Sequence, residues 1–462
     1  RTQFPVRTFS PRPGWFEHDP LELARSQERA LDAVLSRIPR RARVLGLGLA
    51  CQRSSFVLWD RETGRPAARA PSWRDGRAAG VIVPLQDRQA QAHEVTGLYL
   101  TPYYSAPKMR WLLDNSQEAR SLLEAGRLMA GPVASFLVWR LTRGEVFAAD
   151  PSLAQRMMLM SLGTLDWDQA MLSLFQIPSE ILPRILPSAG EWGHALRRGR
   201  RLPILSVLGD QQAAVIGLGG MEKGSSVANY GTGAFFLHNT GQDQRRIPGL
   251  LTSVGWKKGS EACFLQEGTV HAAGGAFDWL RQNLGLLQGP GDIERLCRAS
   301  RERLLALPAI GGLGAPRWDY VTKTAFFGLT PKTKSADLVR AVAEAIAFLI
   351  ADIVSALRSG GLSPGLVRAS GGLSRVNSLM QFQSDILGLE VRRCRESEAT
   401  ALGAASLAAQ AAGAPWAARL REGRSERVFE PSLTPQEAQR RLSDWSLFVS
   451  AQARLSREVK SL

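Results

Sequence analysis

The segment Ile204 to Leu208 reads as a buried strand that runs directly into Gly209-Asp210-Gln211-Gln212. A strand delivering a carboxylate to the start of a helix is the arrangement of open α/β sheets, in which ligands gather outside the carboxyl ends of the strands. Twenty residues on, Tyr230-Gly231-Thr232-Gly233 offers a hydroxyl between two glycines, so backbone amides can approach an anion closely. A third junction, Ser370-Gly371-Gly372, joins the apolar run Leu366 to Ala369 to a helix and presents bare amides at a helix N-terminus. Together the three junctions point to phosphoryl transfer onto a small hydroxylated substrate.

The rest of the pattern alternates strands and helices. Asp19-Pro20 opens a helix predicted over Leu21 to Ile38, and Trp111 to Leu113 lie on another. Val44 to Leu49 and Ser55 to Asp60 read as short buried strands, with a turn at Thr63-Gly64. A second α/β unit begins near Ser225 with strand signals through Phe236, then a turn over Gly268 to Gly275 into a helix around Trp279. Leu338 to Leu357 is apolar nearly all round, which predicts a helix packed at an interdomain core. Gln381 to Ala412 gives a helix, a short strand at Glu390 to Arg392 and an alanine-rich helix. A chain of 462 residues exceeds one core, so two domains are expected, 1–218 and 219–462.

Several function classes lose support. Glu344 and Asp352 interrupt the longest apolar stretch and no apolar leader opens the sequence, so a cytoplasmic protein without a membrane span is expected. Cys51, Cys263, Cys297 and Cys394 are scattered, and His18, His93, His194, His238 and His271 form no metal-ligand spacing, so neither a disulfide framework nor a structural metal is expected. The net charge of +16 raises the question of nucleic acid, but the dense run Arg197 to Arg201 lacks interleaved aromatics and reads as a solvated surface loop. There is no Gly-x-x-x-x-Gly-Lys-Ser/Thr loop, and Gly46-x-Gly48 lacks the third glycine of a dinucleotide fingerprint, so a nucleotide is held in another way.

Phosphoryl transfer needs positioning, charge neutralisation and a base for the accepting hydroxyl. Asp210, at a strand end, is the candidate base; read alone it is equally a helix cap. Gly231-Thr232-Gly233 is the candidate phosphate loop; read alone it is equally a hairpin turn.

The chain resembles the FGGY carbohydrate kinases over nearly its whole length. The matching stretches, in the family's order, are Pro13 to Pro20, Cys51-Gln52-Arg53, Pro102-Tyr103-Tyr104-Ser105, Gly209 to Gln212, Tyr230 to Gly233, Gly312 to Pro316 and Leu379 to Gly388. The resemblance implies two actin-like, ribonuclease-H-like α/β domains facing an interdomain cleft, and ATP- and Mg²⁺-dependent phosphorylation of glycerol or a related small polyol. It implies Asp210 as general base and as the carboxylate beside Mg²⁺, with Arg53, Ser54, Tyr103, Gln211 and Phe235 around the polyol. Thr232, Gly274, Asp278, Gly372 and Val376 then line the nucleotide. Homodimers or homotetramers are the family's assemblies.

The departures are as specific as the matches. Ser54 stands where the glycerol-phosphorylating members carry a glutamate, Ser370 where an aspartate precedes the two glycines, Asp278 in place of a glutamine and Val376 in place of an asparagine, with Asn377 beside it as a partial substitute. The family's opening hairpin bears an Asp-x-Gly-Thr phosphate loop, and this sequence begins at Arg1, after it. Without that loop the transferring group is poorly neutralised, so the polypeptide as written is expected to be a poor catalyst. The segment Leu196 to Pro203 is shorter than the family's sugar-phosphate effector loop, and that regulation is not expected. A non-catalytic binding or regulatory relative is the alternative reading.

Overall fold

The computed structural model describes residues 2–39, 41–396, 398–417 and 425–459. Two α/β domains with mixed sheets flank a cleft. In the first, helix α1 (Pro20–Leu35) starts at Asp19, whose carboxylate accepts the Leu21 and Glu22 amides. Strand β1 (Leu47–Cys51) follows, then β2 (Phe56–Asp60), α2 (Ser105–Asn115), β3 (Leu128–Pro132) and α3 (Val133–Leu141). The hairpin β4 (His194–Arg197) and β5 (Arg200–Gly209) completes the site-bearing sheet: β5 pairs antiparallel with β4 and parallel with β1, then enters α4 (Asp210–Gly217). Trp59, Phe136, Val138 and Val207 fill a core beneath these elements.

The second domain carries β6 (Ser226–Tyr230), β7 (Ala234–Gly241), β8 (Leu251–Lys258), β9 (Glu261–Val270), α5 (Gly274–Gln282) and the long α6 (Ser335–Ser359). It continues through β10 (Leu366–Ser370), α7 (Asn377–Leu387), β11 (Glu390–Cys394), α8 (Ala399–Ala411), β12 (Ser425–Phe429) and α9 (Pro435–Glu458). Its sheet runs β8-β9-β7-β6-β10-β11-β12, with β6, β10 and β11 parallel. Among the described residues no helix is long and apolar enough to cross a membrane.

Four expectations need correction. The helix expected at an interdomain core, Leu338 to Leu357, lies inside α6 and packs with Phe236, Phe277, Met380 and Trp445 in the second domain's own core. Arg197 to Arg201 lie at the surface, with Arg198, Gly199 and Arg201 exposed, but as a tight hairpin rather than an open loop. They close the β4–β5 hairpin through Arg198 and Gly199 at positive φ, and Arg197 pairs with Asp32 and Glu28 on α1. Gly268 belongs to strand β9, paired with Phe236, rather than to the turn, and a side chain there would collide with Ile353 of α6. The first strand begins at Leu47 rather than Val44; a Cβ at Gly46 would come 2.5 Å from Leu205.

The two domains meet through α4 and α8, whose glycines permit close crossing: a Cβ on Gly403 would lie 1.7 Å from the Ala213 carbonyl, and one on Gly217 2.0 Å from that of Ala399. Leu208, Ala213 and Val215 there pack with Val227, Leu237 and Leu407. Ser206 Oγ donates to the Ala404 carbonyl at 2.9 Å, and Thr400 Oγ1 to that of Asp210 at 3.3 Å, so the second domain's helix is tied to the strand end that carries the carboxylate.

Candidate active site

Strand register explains why Arg53 and Asp210 are neighbours. Cys51 is paired with Gly209 in the parallel β1–β5 ladder, so both chains leave the sheet at one level. The Gly209 amide is held by Ser152 Oγ at 2.9 Å, and Ser152 and Ser188 both donate to buried Asp150 at 2.8 Å, which fixes the strand end. Arg53 Nε then stands 3.7 Å from Asp210 Oδ1, while the Gln211 amide donates to that oxygen at 2.8 Å. The Asp210 side chain keeps about a third of its surface open (36%) at the cleft. Burial pushes its pKa up; the Arg53 charge and the Gln211 amide pull it partly back.

Glu267, on β9 of the second domain, was not legible as a site residue, yet it organises this floor. It accepts both Arg53 guanidinium nitrogens at 2.8 and 2.9 Å, Ser253 Oγ at 3.1 Å, and a further charged hydrogen bond from Arg156. Glu267 is 1% exposed and Arg156 3%. Burial works against the Glu267 charge, but the two guanidiniums win and hold its pKa at about 2. Arg53 is raised because Glu267 outweighs its burial. Arg156 is lowered, since burial and Arg53 together outweigh its share of one carboxylate. The available signal was a charged residue inside an apolar run: Glu267 after Phe264-Leu265-Gln266, and Arg156 before Met157-Met158-Leu159.

Of the residues expected around a polyol, Arg53, Asp210 and Gln211 are together. Gln211 Oε1 is buried with no partner among the described residues, an acceptor suited to a ligand hydroxyl. Tyr103 precedes α2 and is 44% exposed; it and Tyr104 lie within electrostatic reach of Tyr320 in the second domain. Buried Tyr104, rather than Tyr103, faces Arg156, with its ring 6.0 Å from the guanidinium carbon. Phe235, half-buried on β7 opposite Thr269, packs at the domain junction. Ser54 adopts a left-handed backbone, φ +62°.

On the other wall the glycine turn docks onto α5. Gly274 N–H donates to the Gly231 carbonyl and Gly275 N–H to that of Thr232, each at 2.9 Å, leaving Thr232 exposed. A Cβ at Gly274 would sit 2.7 Å from the Gly231 carbonyl oxygen, so only glycine permits the contact. Gly371, at φ +89°, passes so close to Tyr230 that a Cβ would meet its carbonyl at 2.4 Å, whereas Gly372 faces open space. A cavity of about 300 Å³ lies here, between Ala214 of α4 and Asn229, Ser370, Gly371 and Gly372 at the ends of β6 and β10. Asp278 is exposed on α5 and pairs with Arg281 at 3.3 Å. Val376 is not at this surface: its side chain is 5% exposed within the second core, and its backbone precedes α7. Asn377 Oδ1 accepts from Arg393 at 3.0 Å.

Two glycine loops and a strand-end carboxylate on opposite sides of a cleft coincide with the domain pair of one family. Residues 1–217 match the N-terminal domain, and 226–412 the C-terminal domain, of the FGGY family of carbohydrate kinases. The chain belongs to that family, within its glycerol kinase subfamily. It is 40% identical over 449 residues to a glycerol kinase of Alkalilimnicola ehrlichii, covering 95% of this chain and 90% of that protein. A glycerol kinase of Bordetella parapertussis is 40% identical over 455 residues, covering 95% and 89%. The solved glycerol kinase of Plasmodium falciparum with ADP superposes with a TM-score of 0.91 at 29% identity, covering 97% of this chain and 92% of that one. The gluconate kinase of Lactobacillus acidophilus, at 21% identity and a TM-score of 0.86, shares the FGGY fold.

Proposed function

We propose that this FGGY kinase transfers a phosphoryl group from ATP to a terminal hydroxyl of glycerol or a related small polyol, with Asp210 as the general base. The observation that carries the reading is the pairing of Asp210 with Arg53 at the floor of a cleft whose other wall is built from Gly231-Thr232-Gly233, Gly274 and Gly371-Gly372. Arg53 and Gln211 would orient the polyol, with Tyr103 and Phe235 at its margin and Ser54 next to Arg53. Asp210 then accepts the proton of the attacking hydroxyl. Burial raises its basicity, while the Arg53 charge and the Gln211 amide at the start of α4 favour the ionised form that a carboxylate base requires.

Bound ATP supplies the phosphoryl group, and Mg²⁺ disperses its charge. The residues present fit such a ligand: Thr232, Gly274 and Gly372 offer a hydroxyl and close backbone to phosphates, and the adjoining cavity is lined by Arg375 and Arg393. The family resemblance assigns Asp278 and Val376 to the nucleotide, where Val376 could offer only backbone, and Asp210 would be the carboxylate available to Mg²⁺, which needs one or two with phosphate oxygens. The test is ADP release measured against a panel of glycerol, other polyols and sugars. Polyol-dependent release is expected. Nucleotide binding without release on any acceptor would favour the non-catalytic reading instead.

A further inference from the structure

Among the described residues, Lys108 is the most deeply buried cation that the mechanism leaves unused. It lies on α2 at 0% exposure. Its ammonium donates to the Ser54 carbonyl at 2.9 Å and to the Ser72 carbonyl at 2.7 Å. Asp75 attracts it electrostatically but is itself gripped by Arg77 at 2.8 Å, and Arg77 also holds Glu17, so the Lys108 ammonium faces a neighbouring cation with its carboxylate already engaged. Burial and the nearby Arg77 charge, relieved in part by Asp75, bring its pKa down to about 7. A methionine of similar length would fill the same space without that penalty, so the ammonium calls for a reason.

The two carbonyls supply one. Ser54 follows Arg53 and takes φ +62°, a left-handed conformation that is strained for a non-glycine residue. Ser72 precedes Trp73, whose amide donates to Ser55 Oγ at 2.8 Å, so both carbonyls belong to one linked pair of loops. Lys108 itself rides on the helix that Tyr103 and Tyr104 lead into. One ammonium therefore ties together the segments that carry Arg53 and Tyr103.

We propose that Lys108 is a positioning residue of the polyol subsite: it clamps the Ser54 and Ser72 carbonyls, holds the left-handed turn at Ser54, and so fixes the direction in which Arg53 meets Asp210. The inference rests on the polyol-kinase reading above, so Arg53→Ala is measured in parallel as its control. In the full chain, with glycerol as probe, Lys108→Met is expected to raise the glycerol KM about tenfold while the ATP KM stays within about twofold. Adding Ser54→Gly, which takes positive φ without strain, is expected to restore about threefold of that loss.

A lysine that served folding alone would shift both KM values together and would gain nothing from Ser54→Gly; that result overturns the inference. If Arg53→Ala raises the glycerol KM and Lys108→Met does not, the inference fails while the functional reading stands. If Arg53→Ala leaves the glycerol KM unchanged, the reading fails and the inference with it. Should Lys108→Met not fold, the unsubstituted chain is assayed from about pH 6 to about pH 9, across the value of about 7. The glycerol KM is then expected to rise with pH as the ammonium is lost, less so in Ser54→Gly, and identical profiles for the two overturn the proposal.

Discussion

Glu267→Gln removes the carboxylate that Arg53 and Arg156 share while keeping its shape. At the start, Glu267 is 1% exposed, and the Arg53 and Arg156 side chains are 10% and 4% exposed. Deleting one partner of a buried ion pair costs about 3–5 kcal/mol, because the remaining charge stays desolvated. An independent route gives a similar figure: holding the carboxyl at about 2 rather than 4.5 corresponds to ~3 kcal/mol. The pKa is depressed on folding, so this stabilisation is fully present above 4.5 and is lost as pH falls through about 2. In urea denaturation at neutral pH, Glu267→Gln is expected to lose about 3 kcal/mol relative to the parent, with the gap narrowing as the medium is acidified. Arg156→Met is expected to cost less, because the bidentate Arg53–Glu267 pair survives it. A Glu267→Gln protein within about 0.5 kcal/mol of the parent, or an Arg156→Met protein that is the less stable of the two, would refute the shared-carboxylate argument.

Three further outcomes follow from the same geometry. Gly403→Ala forces a Cβ to 1.7 Å from the Ala213 carbonyl, so α4 and α8 must separate; a stability loss of at least about 3 kcal/mol in a denaturant titration is expected. Gly274→Ala pushes on the Gly231 carbonyl at 2.7 Å and displaces the Thr232 turn, so calorimetry with ADP should show affinity reduced about tenfold while far-UV circular dichroism is unchanged. The depressed pKa of Lys108 makes its contribution to stability fall as pH drops toward about 7 and recover toward 10.5; the parent should gain on Lys108→Met as pH rises across that window, and a loss would contradict the assignment.

What was legible in the sequence was local. Apolar runs that end in glycine or aspartate declare strands and their exits, which is why Ile204 to Leu208 and Leu366 to Ala369 are strands with exits where expected, although Gly371-Gly372 leads into a short 3-10 turn before α7 and Tyr230 to Gly233 closes the β6–β7 hairpin. What stayed hidden depends on residues far apart in the chain. Glu267 meets Arg53 across 214 positions, and Lys108 meets Ser54 across 54, so neither spacing leaves a periodic trace. The apolar circumference of α6 declared complete burial but carried no information on which domain buries it. In the same way Arg197 read as solvated with the rest of its run, because the acidic residues that receive it lie on α1. Val376 matched a nucleotide position in order along the chain, yet an apolar side chain beside an apolar core turns inward.

On the proposed function, Asp210 takes the proton of the attacking hydroxyl. Asp210→Asn keeps the size of the side chain and its place at the start of α4 but cannot act as that base. Polyol-dependent ADP release by Asp210→Asn, measured beside the parent, is expected to fall by about 10²–10⁴-fold, with ATP binding and the unfolding midpoint little changed. Turnover within about twofold of the parent would contradict the account.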